Sequence, residues 1–197
     1  MSKKEIIWRY LLDQAISHNK FQFQQNEIGN KFGYSLSTVF NALKALRQTG
    51  AIKVTGRYFL VENAQKLLNI WATNRRIDTD IIYKTRVNEP VKQIESQIPP
   101  HSIYGAYSAY LRKFGDAPAD YDKVYIYLTD SQLEEFKSRF PEKNGEANLF
   151  AVRADEEFIK LSRNGIAPIV QTYVDIWNLS DWYAKDFLNE LNNKLFE

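Results

Sequence analysis

Between Ser35 and Gln48 (SLSTVFNALKALRQ), small hydroxyls, an amide and cations are interleaved with apolar side chains at helical spacing. At 100° per residue, Ser37, Thr38, Asn41, Ala45 and Gln48 lie opposite the apolar stripe, with Lys44 at the edge of that side. The Asn41 amide donates and accepts at once, the pattern that pairs with adenine in a major groove. Ser37 and Thr38, near the helix start, can reach bases or phosphates. Lys44 and Arg47 sit further along and would neutralise backbone charge, although Arg47 falls nearer the apolar stripe and has to reach out from the helix end. Lys31, Lys53 and Arg57 add cations from flanking segments. A solvated helix face has a similar composition. What tells against it is the run of small polar residues at the helix start and the lack of any carboxylate between Asp13 and Glu62 except Glu27.

Other residues offer different chemistry. Asp120 and Asp122 have the spacing with which paired carboxylates hold two magnesium ions against a triphosphate, as in nucleotidyltransferases. The Gly-Ser pair usual in such sites is replaced by Gly105-Ala106, and Asp120-Tyr121-Asp122 falls in a loop ahead of a strand, where a solvated turn is the commoner role. Glu134-Glu135 and Asp155-Glu156-Glu157 read as helix-start or surface charges. Gln171 and Asp175 come one turn apart if their segment is helical, which leaves a polar site open there. The tyrosines from Tyr104 to Tyr127 suit either core packing or the lining of a ligand pocket. With no cysteine and only His18 and His101, there is no thiol chemistry and no metal-ligand spacing; no catalytic residue, metal or cofactor is assigned.

These residues need elements to position them. Apolar periodicity predicts a first helix over 3–17 with Ile7, Tyr10, Leu11, Gln14 and Ala15 on one face and Ile6 at its edge. Phe21 and Phe23 suggest a minimal strand, and residues 24–32 a second helix closed by Gly33. Ser35 caps a third helix to about Gln48, whose stripe is Leu36, Val39, Phe40, Leu43 and Leu46. Ile52–Val54 and Tyr58–Val61 flank a Thr55-Gly56-Arg57 turn, and a further helix covers 63–74. Beyond Asn74-Arg75-Arg76, the pattern predicts strands over 80–87, 123–128 and 147–152, and helices over 91–97, 103–111, 131–139 and 180–196. The last carries Tyr183, Phe187, Leu188, Leu191 and Leu195 as its stripe, and 166–170 reads as strand or turn. The expected fold class is α+β. The order of the first elements is that of a winged helix-turn-helix, here over residues 1–76, followed by a mixed α/β domain over 77–197.

Charge supports that division. Residues 1–76 hold 12 Lys or Arg against 4 Asp or Glu, a net of +8, whereas 77–197 hold 14 against 20, a net of −6. A basic segment beside an acidic one fits a nucleic-acid-binding module joined to a different domain. No apolar run is long enough to span a bilayer and MSKKEIIWRY does not read as a signal peptide, so a cytoplasmic protein with no membrane partner is expected.

The run Phe21-Gln22-Phe23, Glu27-Ile28-Gly29, Gly33-Tyr34-Ser35-Leu36-Ser37-Thr38-Val39, Leu43-Lys44-Ala45-Leu46 and Gly50-Ala51-Ile52-Lys53-Val54 resembles the general pattern of winged-helix regulators. It departs from that pattern at Gln24, where a serine or threonine cap is usual. With Gly105–Tyr110, Asp120–Asp122 and Pro168–Asn178, the chain is similar to the AbiEi-type antitoxins of type IV toxin-antitoxin systems. That resemblance implies a repressor that autoregulates its operon on double-stranded DNA. It also implies a second domain that counteracts a nucleotidyltransferase-like toxin without needing to touch it. A ligand-sensing winged-helix regulator and a nucleotidyltransferase-like enzyme using Asp120 and Asp122 stand as alternatives; the oligomeric state is open.

Overall fold

Ser2 and Glu5 open the chain with a reciprocal capping box: the Glu5 amide donates to Ser2 Oγ and the Ser2 amide to Glu5 Oε2 at 3.1 Å. A computed structural model describes residues 1–196, of which Met1–Arg75 and Arg76–Leu195 form two compact units.

In the first unit, α1 (Lys3–His18) leads through β1 (Gln22–Phe23) to α2 (Gln25–Phe32) and α3 (Leu36–Gln48), then to the hairpin of β2 (Ile52–Thr55) and β3 (Tyr58–Val61) and to α4 (Ala64–Asn74). The three strands form an antiparallel sheet in the order β1-β3-β2, with Phe23 opposite Phe59. This is a winged helix-turn-helix. α1 packs against both α3 and α4, and its buried face is therefore wider than a single stripe. Trp8, Arg9 and Leu12 are buried along with Ile7, Leu11 and Ala15, while Tyr10 and Gln14 are only half-buried. Trp8 Nε1 donates to the Ala42 carbonyl of α3 at 2.8 Å, and Trp71 Nε1 of α4 donates to Glu5 Oε1 at 3.4 Å, with Arg75 3.8 Å from the same oxygen. The α3 stripe also differs from expectation. Val39, Ala42, Leu43 and Leu46 form the buried side, whereas Leu36 and Phe40, on the flank toward the hairpin, are 58% and 48% exposed.

In the second unit, a 3-10 turn (Ile77–Asp80) precedes β4 (Ile81–Thr85), α5 (Val91–Ser96), β5 (Ile103–Tyr104), α6 (Ala106–Phe114) and β6 (Val124–Leu128). A 3-10 turn at Asp130–Gln132 then leads to α7 (Leu133–Arg139), β7 (Leu149–Arg153), α8 (Glu156–Leu161), α9 (Ile169–Trp177) and α10 (Ala184–Phe196). The sheet order is β4-β7-β6-β5; β6 and β7 run parallel, Val124 opposite Leu149, and the other two pairs are antiparallel. The α7 crossover supplies the connection that a parallel pair needs. Every residue of β6 is buried, since Val124, Ile126 and Leu128 pack with Ile94, Phe136 and Phe140 on one face while Tyr125 and Tyr127 serve the other.

Two sequence expectations change here. Ile103–Tyr104 is a strand paired with β6, not the start of a helix, and Gly105 makes the break: a Cβ there would lie 2.9 Å from the Tyr127 ring. Ile166 makes only isolated bridges, and Ile169 begins α9, so the 166–170 segment is mostly helix entry. α8, capped by Asp155 through the Phe158 amide, begins at Asp155-Glu156-Glu157, where helix-start charges are one reading of the sequence; at six residues it is too short to show a period.

Candidate nucleic-acid interface

The orientation of α3 depends on the turn that precedes it. α2 starts at Gln24 without a side-chain cap and ends at Gly33, whose φ of 64° is left-handed. The Tyr34 amide then donates to the Gly29 carbonyl at 2.9 Å, and a Cβ on Gly29 would lie 2.9 Å from the Tyr34 carbonyl oxygen. Only a residue without a side chain lets the turn close this tightly. Ser35 accepts from the Thr38 amide at 3.3 Å and starts α3. From the far side, the Trp8 indole fixes the middle of α3 through Ala42.

This leaves a defined outer face. Ser37 is exposed and its hydroxyl lies 3.0 Å from Ser35 Oγ; half-buried Thr38 lies 3.0 Å from the same atom. The three oxygens cluster at the start of the helix. Asn41, Lys44 and Gln48 are exposed, one after another along the helix, and Ala45 is half-buried beside them. Arg47 is half-buried and turned to the hairpin side, where its guanidinium stacks on Phe40. Lys53 is exposed on β2 and Arg57 is exposed in the Gly56-Arg57 turn at the hairpin tip. Lys31 is exposed on α2, its ammonium 4.8 Å from the Tyr10 ring centre.

Burial sharpens the charge of the first unit. Glu5, Arg9, Asp13 and Arg75 are buried, two of each sign. The surface is left with nine cations, Lys3, Lys4, Lys20, Lys31, Lys44, Arg47, Lys53, Arg57 and Lys66, against Glu27 and Glu62. A polyanion meets almost undiluted positive charge there.

The alternative constellations sit in the second unit. Asp122 Oδ1 accepts from Tyr183 Oη at 2.7 Å, while Asp120 is exposed. Both line a cleft of about 830 Å³ with Arg86, Lys92 and Glu95. Among the described residues, no three His, Cys, Asp or Glu side chains are grouped to hold a metal ion. Glu134 and Glu135 stand in the first turn of α7, and Asp155, Glu156 and Glu157 start α8. His18 is exposed at the end of α1, 3.6 Å from Asp13; His101 is exposed in a turn.

Of the tyrosines of 104–127, Tyr107, Tyr121 and Tyr125 pack together, while Tyr110 packs on Phe114 and Phe187 and Tyr127 on Phe158. The Tyr107 ring lies 5.7 Å from Tyr121, 6.3 Å from Tyr125, 4.8 Å from Tyr183 and 4.9 Å from Phe187, and of the tyrosines from Tyr104 to Tyr127 only Tyr121 lines the cleft. Burial raises the hydroxyls of Tyr107, Tyr121, Tyr125 and Tyr183 far above the ordinary tyrosine range, assisted at Tyr107 by Asp181 and at Tyr121 by Glu95. Gln171 and Asp175 are one turn apart on α9 and fully buried: Gln171 Nε2 donates to Asp175 Oδ1 at 2.8 Å, and Tyr127 Oη to Asp175 Oδ2 at 2.6 Å.

Asp181 is a hub that the sequence reading missed, accepting from Tyr107 Oη at 2.9 Å and from Lys123 Nζ at 2.6 Å. The hydrogen bond to Asp181 raises the Lys123 ammonium, against the effect of burial. No local signal marks it, because its partners lie 58 and 74 residues away.

Among the described residues, no helix is long and apolar enough to cross a membrane. No curated protein and no solved structure matches the chain. Residues 1–98 match the family of the Firmicute plasmid replication protein (RepL), and the first unit is accordingly a winged-helix module of the DNA-binding kind.

Proposed function

We propose that the protein binds double-stranded DNA through α3 and the hairpin, and that this binding regulates plasmid replication or the transcription that serves it. The observation that carries the reading is the surface of the first unit, which holds nine cations against two carboxylates and includes an outward α3 face of Ser37, Thr38, Asn41 and Lys44. Asn41, Ser37 and Thr38 contact bases; Lys44, Lys53 and Arg57 contact phosphates, with Arg47 at the edge. The match to a plasmid replication family supports the plasmid setting. The second unit is a regulatory or interaction domain with no catalytic role.

The finer antitoxin reading, an autoregulating partner of a nucleotidyltransferase-like toxin, rests on Gly105–Tyr110, Asp120–Asp122 and Pro168–Asn178, all beyond the matched residues. Replication control is therefore the better-supported reading.

Binding of the full chain to duplex DNA from upstream of its own gene, measured across a salt series, tests the proposal. Affinity falling steeply and linearly on a log–log plot is expected. Affinity indifferent to salt, or no binding, would overturn it. Loss of the gene should change plasmid copy number if the setting is right; unchanged copy number with rescue from a co-expressed toxin would favour the antitoxin reading.

A further inference from the structure

Leu36, Phe40, Val54 and Tyr58 are 58%, 48%, 44% and 37% exposed, a concentration of large apolar side chains on one side of a small unit. They are not scattered. Leu36 and Phe40 stand one turn apart on the hairpin flank of α3. Leu36, Val54 and Tyr58 line one cleft of about 440 Å³, and Val54 also lines the next, of about 500 Å³, with Arg47 and Lys53. Leu36, Val54 and Tyr58 thus share one cleft between α3 and the hairpin, bounded on the α2 side by Gln24, Gln25 and Asn26, and Phe40 follows one turn on from Leu36 beneath the Arg47 guanidinium. Cations edge this apolar strip: Arg57 at the first cleft, Arg47 and Lys53 at the second, where Glu62 is the one carboxylate in the lining.

A purely apolar partner gains nothing from such an edge, and an acidic protein would not need the strip to lie beside the hydroxyl and amide face of α3. A partner with phosphates outside and methyl groups inside satisfies both. The major groove of duplex DNA is that partner, because thymine alone presents a C5 methyl there. We infer that Leu36, Phe40 and Val54 form a thymine-reading strip beside the polar face of α3, with Tyr58 closing it on the hairpin side. The inference rests on the DNA-binding reading above and adds a base preference to it. It makes Leu36 and Phe40, which periodicity places in the core stripe, specificity residues.

The test uses duplexes enriched from a random pool by the full-length protein, each prepared with thymine or with deoxyuracil, which lacks only the methyl. Replacing the critical thymines should weaken binding about fourfold per position, the worth of one methyl taken out of water. Leu36→Ala and Val54→Thr should each abolish that difference at one position, so that each variant binds the thymine and deoxyuracil duplexes with one affinity there. Both sites are exposed, so folding should tolerate the changes, and Val54→Thr nearly conserves shape. Enriched duplexes bound equally with either base would overturn the strip while leaving DNA binding intact. No enrichment at all would overturn both. Equal binding together with self-association that Leu36→Ala abolishes would show that a second copy of the chain covers the strip, and would also overturn the inference.

Discussion

Arg47 places its guanidinium 3.9 Å from the centre of the Phe40 ring and donates from Nη2 to the Phe40 carbonyl at 2.9 Å. The side chain is held along its own helix by a stack and a hydrogen bond, which leaves it less free than Lys53 to neutralise a phosphate. Lys53→Ala should therefore reduce the salt slope of DNA binding by about one, and Arg47→Ala by clearly less. The slope of log affinity against log salt for each variant gives the answer. Equal reductions would mean that Arg47 leaves Phe40 in the complex.

Asn41 stands exposed in the middle of the outer face, between Ser37 and Lys44. Its amide is suited to one base and wasted on the backbone. Asn41→Ala is expected to lower the ratio of specific to non-specific affinity by about 1–3 kcal/mol, while Lys44→Ala weakens all sequences alike. Competition binding with an enriched duplex and a scrambled one separates the two effects. Parallel losses on both duplexes for Asn41→Ala would remove it as a base reader.

Gly29 permits the α2–α3 turn by leaving 2.9 Å between a would-be Cβ and the Tyr34 carbonyl oxygen. Alanine gains about 1 kcal/mol of intrinsic helix propensity over glycine, so a purely local view predicts that Gly29→Ala stabilises the protein. The contact is with backbone and cannot be relieved by a rotamer. A net loss of about 1–3 kcal/mol is expected, together with weaker DNA binding because α3 tilts as the turn opens. Thermal melts and binding on the same variant decide; a raised melting temperature would refute the steric account.

The first unit was legible because its signals are local: Ser35 as a cap, Gly33 as a stop, and a glycine turn between a β-branched run and an aromatic one. The errors there have a common cause. Periodicity places Leu36 and Phe40 on an apolar arc with Val39 and Leu43, but only tertiary packing decides how wide a buried arc is, and α3 buries the side centred on Val39, Ala42 and Leu46. In the second unit the expected one-turn pairing of Gln171 with Asp175 is present, yet the third member, Tyr127, comes from a strand 48 residues away. The same holds for Asp122 with Tyr183, 61 residues apart. Spacing alone made Asp120 and Asp122 a pair; the fold gives Asp122 a tyrosine partner and leaves Asp120 exposed.

Those tyrosines make the second unit sensitive to alkali. Tyr107, Tyr121, Tyr125 and Tyr183 are held neutral in the folded state by burial, with their hydroxyls raised, whereas in the unfolded chain they ionise near pH 10. A group whose folded value is raised contributes its full stability below the unfolded value and loses it as pH climbs above. Each pH unit beyond about 10 should then remove up to about 1.4 kcal/mol per such tyrosine, and the losses of the four add. Lys123, raised by its bond to Asp181, loses its contribution over the same alkaline range. Tyrosinate absorbance is expected to appear for this group in one cooperative step that coincides with loss of the aromatic circular dichroism. Tyr183→Phe keeps the ring against Phe187 but removes one ionising hydroxyl, so the step should persist with a smaller amplitude. Gradual ionisation from pH 10 with the dichroism intact would mean that water reaches these hydroxyls in the folded protein, and the Tyr107 cluster would then line a site instead of filling a core.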